Sequence, residues 1–122
     1  MSRSLALARP FLGRAVEVVI DRPLGSRHPR HGFVYEVNYG FVPGTLAPDG
    51  APLDAFVLGV GAPLARFQGV CIALIHRFDD DDDKLVVVPP GLTLTDAEIT
   101  AAVRFQEGFF STCTVRQGQS RA

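Results

Sequence analysis

Asn38-Tyr39-Gly40-Phe41-Val42-Pro43-Gly44-Thr45 leads within a few residues into Asp49-Gly50-Ala51-Pro52-Leu53-Asp54, and the rest of the chain reads outward from this stretch. Val42-Pro43-Gly44-Thr45 has Pro and Gly where a type II turn needs them, and Ala47-Pro48-Asp49-Gly50 signals a second turn. The chain therefore reverses twice before Asp54, which is the behaviour of short strands folded back on one another. Asp54 opens an apolar run, and strand alternation points its side chain away from Leu53 and Ala55. A carboxylate entering such a strand is expensive to bury without a compensating charge. A hard divalent cation such as Mg²⁺ suits this need, because it takes oxygen ligands and keeps sites for water and phosphate. Asp49 alone reads more readily as a turn residue than as a ligand; Asp54 is the stronger ligand candidate.

The flanking segments are mostly strand. Ala15 to Ile20 is β-branched, Gly32 to Val37 and Tyr39 to Val42 are short candidates, and Leu85 to Val88 stops at Pro89-Pro90-Gly91. Leu53 to Val60 and Phe67 to Ile75 are near-continuous apolar runs, as expected of strands buried on both faces. One helix is signalled by Thr95 followed by Glu98, a capping box, with Asp96 in the first turn. Ile99, Ala102, Val103 and Phe109 or Phe110 continue it as an apolar stripe. Short strands and one late helix predict an α+β, mainly β fold. The expected form is a closed five-stranded β-barrel with a C-terminal helix packed on it, since closure removes exposed edges. Residues 1–13 read as a loosely held lead-in, 14–116 as a single barrel domain and 117–122 as a flexible tail.

Charge is segregated although the formal net charge is only −1. Arg22, Arg27, His28, Arg30 and His31 make a basic stretch, while Asp79 to Asp83 form an acidic run closed by Lys84. Runs of like charge are commonly solvated loops, yet this one is gripped between apolar strands, and a metal would relieve its repulsion. One or two of these aspartates are expected as ligands and the others as solvent-facing. Arg22, Arg27, Arg30, Lys84 and Arg77 are candidate phosphate contacts, through arginine forks or the lysine point charge. Tyr39 is either a phosphate donor or a partly buried barrel tyrosine. The three histidines and two cysteines show no zinc spacing.

Composition narrows the field further. With 122 residues and 47% apolar content the chain suits one core. No apolar run approaches the roughly 20 residues that span a bilayer. Leu5-Ala6-Leu7-Ala8 is too short for a signal-peptide core, and Cys71 reads as a core residue, so a cytoplasmic location is expected. The acidic loop and the absence of Trp argue against a nucleic-acid-binding barrel, which uses basic grooves and stacking aromatics.

Taken together, Asn38 to Leu46, Asp49 to Asp54, and Asp82-Asp83-Lys84-Leu85-Val86-Val87-Val88-Pro89 resemble soluble family I inorganic pyrophosphatase, over about Val16 to Phe110. The resemblance implies an oligonucleotide-binding-like barrel, assembly as a homo-oligomer, and Mg²⁺-dependent hydrolysis of pyrophosphate to two phosphates. It implies Asp49, Asp54, Asp79 and Asp82 as metal ligands, Lys84 and Arg27 as phosphate clamps, and Tyr39 as a phosphate hydrogen-bond donor. The residues expected at the chemistry are thus Asp54, Arg27, Tyr39 and Lys84. Three features depart from the family pattern. Ala51 stands where the signature has its middle aspartate, Phe109-Phe110 replaces a late Tyr-Lys pair, and the segment from Asp21 to Arg27 is too short for the usual hairpin. Alternatives are a non-catalytic barrel that binds metal and phosphate, or a hydrolase of another phosphoanhydride.

Overall fold

The structure, a computed structural model, describes residues 2–118. In chain order the strands are β1 (Ala15–Arg22), β2 (Asn38–Phe41), β3 (Asp54–Val57), β4 (Arg66–Arg77), β5 (Lys84–Val88) and β6 (Thr112–Arg116). The helices are α1 (Arg3–Ala8) and α2 (Asp96–Glu107), with a 3-10 turn at Arg9–Phe11 between α1 and β1. The sheet runs β1-β2-β3-β5-β4 and closes where β4 returns to β1, so the expected five-stranded barrel is present. The β3–β5 pair is parallel and its neighbours are antiparallel.

Closure depends on β4, which is 12 residues long. Its first half pairs with β1 and its second half with β6, a sixth strand outside the barrel. Between them the register against β5 shifts from Cys71 to Ala73, an irregularity that bends a strand enough to serve two neighbours. The core strands are buried on both faces, as their continuous apolar runs predict. Leu85 and Val87 pack inward with Ala55, Val57 and β1, while Val86 and Val88 pack outward with Phe56, Ile99 and Val103. The outward layer holds α2 to the barrel.

Gly40 allows β1 and β2 to approach. A Cβ at this position would lie 1.9 Å from the Val19 carbonyl oxygen, so no side chain fits without moving backbone. Gly40→Ala should cost about 2 kcal/mol, typical of overpacking. A urea melt with an unchanged midpoint would show instead that the two strands can part at that point.

Several local expectations are met. Thr95 Oγ1 accepts from Glu98 N at 3.1 Å while Glu98 Oε1 accepts from Thr95 N at 2.8 Å, completing the capping box. Gly44 has φ 78°, as a type II turn requires, and Thr45 Oγ1 ties Val42 O to Leu53 N across the double reversal. Others are corrected. Gly32 to Val37 is no strand but a loop touching Arg27 through one bridge at Val34. His28 Nδ1 accepts from both Arg30 N and His31 N, which curls the chain before it can extend. The lead-in is not loose: Ser2 caps α1 by accepting from Leu5 N, and Ala8 and Leu12 are buried in the barrel core. The strand β6 was not expected, because Thr112-Cys113-Thr114-Val115-Arg116 buries only Val115 and so lacks an apolar run. The helix stripe ends at Glu107, leaving Phe109 and Phe110 beyond α2. Of the expected tail, Gln119 to Ala122 lie outside the described residues.

Candidate functional site

On the outward face of the barrel, strand register brings three polar side chains together. Asp54 opens β3 and pairs directly with Lys84 at the start of β5. Tyr39 lies one strand over on β2, facing Phe56. Lys84 Nζ sits 3.0 Å from Asp54 Oδ2 and 2.9 Å from Asp82 Oδ1, and Tyr39 Oη donates to Asp54 Oδ2 at 2.7 Å. Burial works to lower the Lys84 pKa, but Tyr39, Asp54 and Asp82 more than offset it and raise it, so the ammonium stays charged. Burial pushes the Tyr39 hydroxyl up as well, keeping it a donor at neutral pH. The acidic Asp54 is thus compensated, by a buried lysine rather than by a metal alone.

These groups line a cavity of about 820 Å³ that also takes in Asp21, Arg22 and Arg77. Arg77, at the end of β4, is the residue that sequence reasoning underweighted. Its Nε and Nη2 donate to the two carboxylate oxygens of buried Glu107, each at 2.8 Å, in a bidentate pair. Its Nη1 lies 3.3 Å from both Asp80 Oδ2 and Asp82 Oδ2, and Phe110 stacks on the guanidinium at 3.7 Å. Burial opposes its charge, yet the Glu107 hydrogen bonds and the three carboxylates raise its pKa. Gln106 completes the anchor by donating to Glu107 Oε2 and accepting from Tyr35 Oη. No local pattern marks Arg77, whose partner is 30 residues away.

The remaining sequence candidates lie elsewhere. Asp49 is exposed, and its Oδ1 accepts from Ala51 N at 2.9 Å, closing the turn. Arg27 is exposed and donates to Gly32 O at 2.6 Å. Asp79 accepts from Ser111 N. None of the three lines the cavity. The expectation that most of the acidic run would face solvent is met at Asp79, Asp80 and Asp81, which are exposed, yet every aspartate of the run also has a protein partner. Asp80 and Asp82 face Arg77, and Asp81 accepts from Ser2 Oγ and Ser4 N at the start of α1. Asp83 pairs with His76 Nδ1 and accepts from Arg77 N. Their mutual repulsion is offset by hydrogen bonds and cations of the chain itself.

A sequence model for the family described as inorganic pyrophosphatase matches residues 17–112. The chain belongs to the inorganic pyrophosphatase family. The chain is 42% identical over 83 residues to the inorganic pyrophosphatase of Aeropyrum pernix, covering 65% of this chain and 44% of that protein. It is 32% identical over 88 residues to that of Caulobacter vibrioides, covering 66% and 50%. The chain thus spans about half the length of the curated relatives it matches. In fold it is similar to the crystal structure of inorganic pyrophosphatase from Ehrlichia chaffeensis, with TM-score 0.67 at 19% identity over 84% of this chain and 85% of that one. A Helicobacter pylori inorganic pyrophosphatase gives TM-score 0.66 at 21% identity over 84% and 85%.

The pyrophosphatase family implies a divalent metal, and the donor chemistry of this site suits one. Among the described residues Asp54 Oδ1 has no hydrogen-bond partner, whereas Oδ2 is taken by Tyr39 and Lys84. Asp21, on the same cavity wall, has its pKa raised by burial and further by the charge of Asp54, a repulsion that a cation would relieve. Among the described residues no group of three or more His, Cys, Asp or Glu gathers closely enough to hold a metal by itself. That is compatible with Mg²⁺, which usually takes one or two carboxylates and completes its shell with water and substrate phosphate. No helix of the described residues is long and apolar enough to cross a membrane.

Proposed function

We propose that the chain hydrolyses pyrophosphate to two phosphates with a divalent cation, Mg²⁺ by preference, held by Asp54 and Asp82. The observation that carries this reading is Lys84 seated between Asp54 and Asp82 at 3.0 and 2.9 Å beside the Tyr39 hydroxyl, inside a cavity that Arg77 also lines. When bound, the cation would lower the pKa of water and neutralise phosphate charge. Everything else falls to the chain. Lys84 and Arg77 would receive two phosphate groups as a point charge and a partly committed fork, and Tyr39 would donate its proton to a phosphate oxygen. These donors are held in advance by carboxylate partners, so little reorganisation is needed as charge shifts to the leaving phosphate. Arg77 would also supply a cation in place of the lysine lost at Phe109-Phe110. In this reading Asp82, whose two oxygens now face Lys84 and Arg77, and likewise Asp49, Asp79 and Arg27, contribute only after a rearrangement of their present contacts.

The test is phosphate release from pyrophosphate by the purified chain at millimolar Mg²⁺. Release should stop on chelation with EDTA and return with Mg²⁺; no release from folded protein would sink the proposal.

Ala51 favours a second reading, a barrel that binds Mg²⁺ and pyrophosphate without turning it over. Ala51 is exposed in the turn, and no carboxylate of the acidic run reaches across to replace the one its position lacks. Calorimetry that finds metal-dependent pyrophosphate binding without hydrolysis would support this second reading. Ala51→Asp should raise phosphate release at least about tenfold, the scale of a positioned proton acceptor. An unchanged rate would mean that the missing carboxylate is not the limiting part.

A further inference from the structure

The cavity has a second wall that pyrophosphate cannot use. From Tyr39 the rings step outward through Tyr35, at 5.4 Å between centroids, to Phe33 at a further 5.4 Å. Phe33 then meets His28 at 4.9 Å, His31 at 6.3 Å with planes 7° apart, and Phe109 at 6.5 Å. All these rings line the same cavity as Lys84 and Arg77. Phe109 is 76% exposed, so most of its ring is open to a ligand in the cavity.

The wall is built and held. His28 Nδ1 accepts from two backbone amides, at 3.0 and 3.1 Å, and the backbone N–H of His28 donates to Phe33 O at 2.8 Å. Its pKa is lowered by partial desolvation and by the nearby charges of His31, Arg22 and Arg30, which favours the neutral ring. Arg22 lines the cavity too, between the ring wall and Asp21, where a cation suits a phosphate close to the wall. A space of about 820 Å³ lies in the range of about 300–1,000 Å³ typical of pockets for drug-sized ligands. The cavity therefore joins an anion end to a rigid aromatic end, the two halves of a nucleotide.

We propose that the pocket takes a nucleoside diphosphate, its phosphoanhydride at Lys84 and Arg77 and its base stacked on His31, Phe33 and Phe109. Binding stands on this geometry alone; cleavage rests on the hydrolase reading above. In the cleavage step the oxygen of water bonds to the terminal phosphorus. The bond from that phosphorus to the bridging oxygen breaks, and its electron pair stays on the departing nucleoside monophosphate. The products are that monophosphate and phosphate, and the released proton goes to solvent.

The full chain with Mg²⁺ is titrated in a calorimeter with ADP, methyl diphosphate and isopentenyl diphosphate, and phosphate release is followed for ADP and pyrophosphate. ADP should bind about tenfold or more tightly than methyl diphosphate, the size of one base–aromatic stack. It should also outbind isopentenyl diphosphate, which is apolar but not flat. Phe109→Ser, at an exposed position, and Phe33→Leu should each narrow the ratio of ADP to methyl diphosphate affinity about tenfold. Equal affinities, an unchanged ratio in Phe109→Ser, or an advantage for the isopentenyl compound overturns the proposal. Hydrolysis of pyrophosphate without ADP preference overturns it while sparing the hydrolase reading. Selective ADP binding with no hydrolysis of either compound upholds base recognition and removes the hydrolase.

Discussion

Asp54→Asn is expected to lower phosphate release from pyrophosphate about a thousandfold, equivalent to about 4 kcal/mol of transition-state stabilisation. The substitution is nearly isosteric and keeps an oxygen to accept from the Tyr39 hydroxyl, now 2.7 Å from Oδ2. Lys84 keeps Asp82 at 2.9 Å, so the buried ammonium is not left alone. Folding should therefore survive, with an unchanged far-ultraviolet spectrum. What disappears is the negative charge of the cavity carboxylate that Tyr39 and Lys84 hold by one oxygen, Oδ2. In the proposed mechanism that charge holds the cation and sets the orientation of Tyr39 and Lys84 together. Calorimetric affinity for Mg²⁺ should fall in parallel, which ties the loss to the metal rather than to a distant defect. A variant within tenfold of wild type would remove Asp54 from the chemistry, whatever the activity of the parent chain.

The contrast between Asp54 and its fellow aspartates explains what the sequence could and could not reveal. Asp54 was legible because a period of two, running through Leu53, Ala55 and Val57, left its side chain on the opposite face, where it required a partner. The barrel was legible for the same reason, since β3, β4 and β5 are apolar on successive residues and only a structure with two buried faces accommodates that. The acidic run had no such periodicity. Repulsion among Asp79 to Asp83 predicted that something positive was needed, but not that it would be Arg77, His76, Lys84 and the amides of Ser4 and Ser111. Those partners arrive from α1, β4, β5 and the segment after α2, so their meeting depends on barrel closure rather than local pattern. The loop at Gly32 to Val37 misled in the opposite direction. Its composition suits a strand, but just before it the ring nitrogen of His28 captures the amides of Arg30 and His31 and curls the chain there. That local competition also sets the ring wall of the cavity in place.

Glu107→Leu should destabilise the fold by about 3 kcal/mol, because it leaves the Arg77 guanidinium buried without its bidentate partner. Arg77 is only 6% exposed, and two of its nitrogens donate to Glu107 at 2.8 Å. Asp80 and Asp82 remain at 3.3 Å, but both are longer contacts to the single nitrogen Nη1, so they compensate only in part. For a domain of this size the loss corresponds to a fall in Tm of about 10 °C. The double variant Arg77→Met, Glu107→Leu removes both charges and should recover at least half of that loss, since no unpaired ion stays in the interior. Its catalytic outcome should differ from its stability. With Arg77 gone, the cavity loses the cation proposed to replace the one missing at Phe109-Phe110, and phosphate release should fall about a hundredfold even though the fold is restored. If the double variant regains both stability and activity, Arg77 is a purely internal tie. If the single variant loses less than about 1 kcal/mol, the acidic loop alone carries the arginine and Glu107 is not its anchor.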